Sequence, residues 1–378
     1  MEIKFAHTSD CHIGAKCKGI GNKSEIRKYE ITNTFINILK ISSEENIDIL
    51  FIAGDLFDDT KGIHEEDINI VKKSLGDVNF NVVISPGNHD PFTSDSPYCS
   101  QWPDNVFIFK NDKLDFIEFN DLKLRVWGHA FKGAYEMKHL LKDINIPQDD
   151  FINICVMHGN LFDGNSNNVY APITYDEVNN CCMDYIALGH IHKRSELKYI
   201  GKTCYAYCGC PEATGFDETG EKGFYIGKIS KNFCNLTFKS CSKRNYEVLN
   251  VDITNLESDF DVAELIIREI KKNYKEKYIN NVYKIVLSGE ISENFFINIL
   301  KIETYLNDRV FFSSVSDNTE TRVDMDKLQF RNDFKSIFIK KMMLKIENSK
   351  DDYEKSVNKQ ALKIGLRAFQ EEVKYSDN

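Results

Sequence analysis

The chain has 378 residues, a length that carries about two to three domains and at least one large core, so a disulfide-stapled miniprotein is excluded. Hydrophobic residues make up 42% and charged residues 28%, and no apolar run approaches the roughly 20 residues a bilayer requires, which excludes wholesale disorder and a membrane-spanning protein. The balance of 58 acidic against 48 basic side chains, a net charge of −10, argues against coating nucleic acid by charge alone, and a polyanion partner would have to be met locally.

Met1-Glu2-Ile3-Lys4-Phe5 runs straight toward Asp10, which reads as leaving no room for a removable apolar leader. With eleven cysteines, several crowded as Cys181-Cys182 and Cys204/Cys208/Cys210, a cytoplasmic chain of reduced thiols is expected. Five short apolar runs, each ending in a polar cluster, organise the first half. They are Ile3–Thr8 before Asp10-Cys11-His12, Ile47–Ala53 before Gly54-Asp55, and Val82–Ser85 before Gly87-Asn88-His89-Asp90. Ile152–Met157 before His158 and Tyr185–Leu188 before Gly189-His190-Ile191-His192 complete the set. Runs of this length, rich in Ile and Val, predict buried strands, and Ile31, Phe35, Ile38 and Leu39 have the spacing of one helix face between two of them. The alternation predicts an α/β domain, whose functional residues collect beyond the carboxyl ends of the strands.

No proline follows Pro211, and a domain boundary is placed near Tyr246. The expected domains are 1–245, 246–322 and 323–378. In the second, Val248–Ile253, Val282–Leu287 and Arg309–Val315 predict strands, and Val262–Lys272 and Phe295–Tyr305 predict helices. In the third, Phe330, Phe334, Phe338, Met342 and then Val357, Ala361, Ile364, Ala368 have helical spacing. With Glu347–Ser356 between them, they predict a helical hairpin that packs on its own core or docks on a partner.

Any one histidine is a weak signal, but five of the nine (His12, His89, His158, His190, His192) follow predicted strand ends together with Asp10, Asp55 and Asn88. All but His89 supply enough nitrogen and oxygen donors for two divalent ions, with one carboxylate able to bridge. Other residues carry less. His7 and His64 read as structural or exposed, and His139 has no role. Cys204, Cys208 and Cys210 lack paired zinc-knuckle spacing and read as buried thiols, with Cys208 and Cys210 on one face of a strand. Lys18–Ser24 is not a phosphate-binding loop, because Asn22 separates Gly21 from Lys23. His129, after another predicted strand, is a candidate to face substrate. Lys16, Lys18, Lys23, Arg27 and Lys28 either line a path for phosphates or are solvated surface. Asp90 either supports the site or caps the turn after it.

The order D-x-H, GD, GNHD, a strand ending in His, and GHxH resembles the calcineurin-like metallophosphoesterases. Within them the chain is most similar to the nuclease subunit of bacterial SbcCD-type DNA-repair complexes, including the YhaO-like exonuclease branch. Tyr207-Cys208-Gly209-Cys210-Pro211-Glu212, Gly215-Phe216-Asp217-Glu218 and Lys222-Gly223-Phe224 resemble that family's last nuclease-domain strands. The resemblance is sharp over Asp10–Phe224 and looser from Phe330 to Val373. It implies a four-layer α/β/β/α sandwich with a smaller α+β capping domain and a C-terminal helical tail. It also implies one metal held by Asp10, His12, Asp55 and His192, and a second held by Asp55, Asn88, His158 and His190. Imidazole-rich donors favour Mn²⁺, with Fe or Zn as alternatives. Two dications against two carboxylates leave a local charge suited to a phosphodiester, and a metal-bridging hydroxide would attack in line. His89 is the expected catalytic group, with Asp58 of Gly54-Asp55-Leu56-Phe57-Asp58 paired to it; related nucleases from archaea and eukaryotes carry His at that position.

The resemblance further implies DNA as substrate for an exonuclease, with single-strand endonuclease action as a further expectation, a homodimer, and an SMC-like ABC-type coiled-coil ATPase docked on the C-terminal helices. The alternatives are a phosphodiesterase or phosphatase on small or protein-bound phosphate, favoured by the acidic net charge, and a non-catalytic DNA-end-binding scaffold.

Overall fold

The computed structural model describes residues 2–369 apart from 61, 143, 148, 164–169, 232 and 324–332. Phe330 and Val373, which bound the looser part of the resemblance, lie outside the described residues. The chain divides into two compact units, Met1–Tyr246 and Glu247–Asn378.

The first unit runs β1 (Ile3–Thr8), α1 (Ser24–Glu44), β2 (Ile49–Ile52), α2 (Glu65–Gly76), β3 (Asn81–Ile84), β4 (Val106–Ile108), β5 (Asp115–Phe119), β6 (Leu124–Gly128) and β7 (Ile152–His158). It continues through the short pair β8 (Leu161–Phe162) and β9 (Ile173–Thr174), α3 (Tyr175–Asn180), β10 (Tyr185–Gly189), β11 (Lys198–Ile200), β12 (Thr203–Tyr207), β13 (Gly223–Ser230) and β14 (Phe233–Ser240). Among the described residues the twelve strands other than β8 and β9 form two six-stranded sheets, ordered β14-β13-β1-β2-β3-β4 and β11-β12-β10-β7-β6-β5. Strands β1 to β4 are parallel, as are β6, β7, β10 and β12.

Period-two alternation sorts the side chains into layers. Ile3 and Phe5 of β1 share a core with Ile154 and Val156 of β7, so the sheets stack face to face. Cys155 and Met157 point the other way, into a core with Val178 of α3 and Ile173. Helix α1 buries Ile31, Phe35, Ile38 and Leu39, the face its spacing predicts. The fold is the four-layer α/β/β/α sandwich with mixed α/β elements.

The second unit starts within β15 (Tyr246–Asp252) and adds α4 (Asp259–Tyr274), β16 (Val282–Ser288), β17 (Glu290–Ser292), α5 (Ile299–Asn307), β18 (Phe312–Asp317), β19 (Glu320–Arg322), α6 (Phe334–Glu347) and α7 (Asp352–Ala368). Its three-stranded sheet β15-β16-β18 packs Val251 and Ile285 against Val262 and Ile266 of α4. Several expected boundaries move. Helix α5 starts at Ile299 rather than Phe295, because the Asn298 side chain accepts the Lys301 N–H at 3.0 Å and caps it there. The strand expected from Arg309 starts at Phe312, since the Arg309 and Val310 N–H groups still bond the Leu306 carbonyl at 2.8 and 3.0 Å. Asp351 caps α7 by accepting the Glu354 N–H at 2.7 Å, which shortens the hairpin connection from the expected Glu347–Ser356 to residues 348–351.

The apolar stripe on α7 is also rotated. Val357, Ala361, Ile364 and Ala368 are exposed, whereas Leu362 and Leu366 pack on Ile339 and Met342 of α6. Lys363 of α7 pairs with Asp317 at 2.6 Å and donates to Thr319 Oγ1 at 2.8 Å, which ties this helix to the end of β18 and the turn after it. Among the described residues no helix is long and apolar enough to cross a membrane.

Candidate metal centre

Every predicted donor sits at or just past the end of a parallel strand. Asp10 and His12 follow β1, Asp55 follows β2, Asn88 and His89 follow β3, His158 ends β7, and His190 and His192 follow β10. These ends meet because the loops are hydrogen-bonded across: the Asp10 N–H donates to the Gly54 carbonyl and the His12 N–H to the Asp55 carbonyl, both at 3.0 Å, while the Gly159 N–H reaches the Gly189 carbonyl at 3.3 Å. Gly189 brings the second sheet against the first so closely that a Cβ there would lie 1.9 Å from the Ala53 carbonyl oxygen. Gly54, at φ +87°, would place a Cβ 2.4 Å from His158 Nδ1. Asp10, His12, Asp55 and His190 also have positive φ, a backbone cost of ~1–3 kcal/mol each that persists only where the surroundings impose it.

The donors converge. Asp10, His12 and His192 offer ligand atoms all within 4.8 Å of one another, as do Asp10, Asp55 and His158, and His12, Asp55 and His89. Asp55 Oδ2 lies 3.9 Å from His12 Nε2 and 3.2 Å from His158 Nε2, a position between two donor groups. His12 Nε2 faces His192 Nε2 at 3.2 Å, His192 Nε2 lies 3.5 Å from Asp10 Oδ1, and His158 Nε2 lies 2.9 Å from Asn88 Oδ1. The His190 ring packs 5.1 Å from that of His158, outside these tight groups.

Hydrogen bonding fixes the tautomers. Nδ1 of His158 donates to the Ala53 carbonyl and Nδ1 of His12 to Asp58 Oδ1, both at 3.0 Å, and Nδ1 of His192 donates to the Glu218 carboxylate. An oxygen that only accepts requires N–H at Nδ1, which turns the Nε2 lone pairs of three histidines toward one centre. Buried imidazole nitrogens crowded against carboxylates fit divalent cations, which would take the place of the Nε2 protons.

The titration behaviour has the same origin. Burial disfavours a charged His12, but the Asp58 bond and the charges of Asp55 and Asp10 push it up to about 9; at His158 Asp55 overcomes burial to the same level. Burial opposes ionisation of Asp55, yet His158, His12 and His89 hold its carboxyl well below the usual range. Burial and the neighbouring His158 charge pull His190 down to about 4. Glu218, though buried, is held at about 2 by His192.

Asp90 is wholly buried and accepts from Gly87 N–H at 2.7 Å, Asp55 N–H at 3.2 Å, Phe57 N–H at 3.1 Å and Tyr98 O–H at 2.5 Å, so it caps its own turn and ties it to the Asp55 loop. The expected Asp58–His89 pairing is altered. The Asp58 carboxylate serves His12 and stands 3.9 Å from His89 Nδ1, which donates instead to the Asp58 main-chain carbonyl at 2.9 Å. The His89 N–H donates to Asp55 Oδ1 at 2.9 Å, and its side chain remains 45% exposed.

Three further expectations are corrected. His129 is fully buried against Phe131, where burial and His158 lower its pKa to about 3, so it presents no surface to a substrate. Arg27 is enclosed by Glu30 and Glu212 at 2.7 and 2.6 Å, and Lys28 pairs with Asp67 at 3.4 Å, which leaves Lys16 and Lys18 exposed on the loop after β1. Cys208 and Cys210 lie beyond the end of β12 rather than on it, both buried. Glu218 and Tyr98 were not singled out for the site by sequence reasoning, and no spacing signal marks either.

The sequence model of the calcineurin-like phosphoesterase family matches residues 3–194. The chain belongs to this family. It is a metal-dependent phosphoester hydrolase, and the family works with a dinuclear metal centre, for which the converging donors are the candidate ligands. Among its relatives is "Uncharacterized metallophosphoesterase YhaO" of Bacillus subtilis (strain 168), 26% identical over 284 residues, which cover 72% of this chain and 69% of that protein. A solved structure, purple acid phosphatase PPD1 from yellow lupin (Lupinus luteus) seeds, superposes with a TM-score of 0.41 at 12% identity, covering 64% of this chain and 52% of that one.

Proposed function

We propose that this phosphoesterase is a DNA phosphodiesterase of the exonuclease type, with Asp10, His12, Asp55 and His192 holding one divalent ion and Asp55, Asn88, His158 and His190 a second. Mn²⁺ suits the imidazole-rich set, with Fe and Zn as alternatives. The bound ions supply water activation and neutralise charge on the phosphoryl group. The chain's own residues do the rest. His89 has Nδ1–H fixed on the Asp58 carbonyl, so its exposed Nε2 edge is free to stabilise or protonate the leaving oxygen. Asp58 and Glu218 hold two ligand imidazoles in register.

The observation that carries the nuclease reading is Glu218. The segment Gly215-Phe216-Asp217-Glu218, which resembles the SbcCD-type nucleases rather than phosphoesterases in general, reaches back to the ligand-candidate His192. The exposed apolar residues Ile337, Leu344, Val357 and Ile364 on α6 and α7 support docking of a coiled-coil ATPase there. The net charge of −10 favours a second reading, a phosphodiesterase or phosphatase for small or protein-bound phosphate.

The test incubates the protein with Mn²⁺ and end-labelled duplex or single-stranded DNA, alongside bis(p-nitrophenyl) phosphate, EDTA controls and Asp55→Asn. Metal-dependent DNA cutting that Asp55→Asn abolishes supports the proposal. Hydrolysis of the small diester beside inert DNA, with and without an ATPase partner, transfers the assignment to the second reading.

A further inference from the structure

An aromatic row leads outward from the metal centre. Phe131 meets His158 edge-on at 5.8 Å, His158 meets His190 at 5.1 Å, His190 faces Tyr170 at 4.6 Å with 34° between the ring planes, and Tyr170 lies 5.8 Å from Tyr135. The row is buried at Phe131 and open at Tyr135, which is 66% exposed. The two tyrosines are pinned together: a β-bridge joins Glu136 to Tyr170, and the Ala171 N–H donates to the Glu136 carbonyl at 2.6 Å. The fold thus holds a large ring in water beside a phosphoester centre, giving up the stabilisation its burial would bring.

We propose that Tyr135 and Tyr170 form a stacking platform for an unpaired nucleobase next to the phosphate being hydrolysed. The proposal rests on the nuclease reading for its substrate class and deepens it. Every base has a π-face, so stacking on tyrosine tolerates sequence, as a nuclease working along a strand requires. Bases inside a duplex have both faces covered, so the platform selects single-stranded or frayed ends. On an acidic protein, stacking also supplies affinity that long-range attraction of the phosphates does not.

The probes are ethenoadenosine monophosphate and ribose phosphate, which share the phosphate and differ in the base. They are titrated onto the full chain with Mn²⁺ in a His89→Asn background that suppresses turnover. The etheno probe should bind more tightly than ribose phosphate, with its fluorescence quenched. Adding Tyr135→Ala should weaken the etheno probe by about 5- to 150-fold and leave ribose phosphate unchanged, while Tyr135→Phe retains binding. An etheno affinity within about two-fold of the Tyr135 background, or equal weakening of both probes, overturns the proposal. The two readings fail separately. If DNA is inert in every format but base-dependent binding still requires Tyr135, the platform stands and the nuclease reading falls; if DNA is cut and Tyr135→Ala leaves KM and the etheno affinity unchanged, the platform falls alone.

Discussion

Replacing Asp90 with alanine should unfold the first unit far more easily than any surface change, and the size of the effect follows from its partners. Four donors converge on this buried carboxylate: the N–H groups of Gly87, Asp55 and Phe57 and the hydroxyl of Tyr98. Each buried donor left without an acceptor costs ~1–3 kcal/mol. The vacated space is about that of one water, which accepts two hydrogen bonds, so two donors stay unmet and the cost is ~2–6 kcal/mol. Against this, burial and the Asp55 charge both disfavour ionised Asp90, pushing its pKa up, and removing that carboxylate returns part of the loss. A net destabilisation of ~3 kcal/mol is expected, about 6–12 °C in Tm for a unit of this size. Asp90→Asn keeps an acceptor for two donors and should fall between the two, and Tyr98→Phe should cost ~1–2 kcal/mol. The assay is urea unfolding followed by tryptophan fluorescence, both tryptophans being in the first unit, in EDTA so that metal binding adds nothing. The Asp55 loop also loosens, so Mn²⁺ affinity should drop about 10- to 100-fold by calorimetry. A loss below ~1 kcal/mol for Asp90→Ala, with unchanged metal affinity, would show that this carboxylate does not hold the two loops together.

Metal addition at about 100 times Kd should raise stability by ~2.7 kcal/mol, visible as an increase in Tm that EDTA reverses and Asp55→Asn removes; an equal increase in Asp55→Asn would place the metal elsewhere. Burial opposes ionisation of Glu30, but its bonds to Arg244 and Arg27 hold its carboxyl below 4.5, so its contribution is complete above that value and lost as pH falls through the folded-state pKa. The difference in urea midpoint between the protein and Glu30→Gln should therefore shrink as pH falls below 4.5, and a constant difference would exclude the ion pairs as its source. In the second unit Leu366→Ala should cost ~2–4 kcal/mol, whereas Ile364→Ala, at a residue 70% exposed, should cost under ~0.5 kcal/mol, in urea unfolding followed by far-UV circular dichroism, since that unit holds no tryptophan; equal costs would contradict the observed rotation of α7.

Much of the centre was legible because a strand turns sequence order into position. Once Ile3–Thr8, Ile49–Ile52 and Asn81–Ile84 are adjacent parallel strands, the residues just beyond each carboxyl end have to share one edge, and the polar clusters after five apolar runs named the donors. The histidine tautomers were not legible, since each depends on an acceptor from elsewhere: Ala53 for His158, Asp58 for His12, Glu218 for His192. Glu218 has no fixed spacing to any donor, and only the turn that aims it at His192 gives it a role.

The sequence by itself determined the alternation of strands and helices, the side chains each strand end delivers, and the helical nature of the tail, because these follow from local periodicity within one element. Tertiary structure alone decided which carboxylate serves which imidazole, that His129 and Arg27 are enclosed, and which face of α7 is covered. Those outcomes depend on contacts between segments far apart in the chain. Asp58 illustrates the reason: its position fits a bond to either His12 or His89, and the packing of the β1 and β2 loops gives the carboxylate to His12 and leaves His89 the main-chain carbonyl.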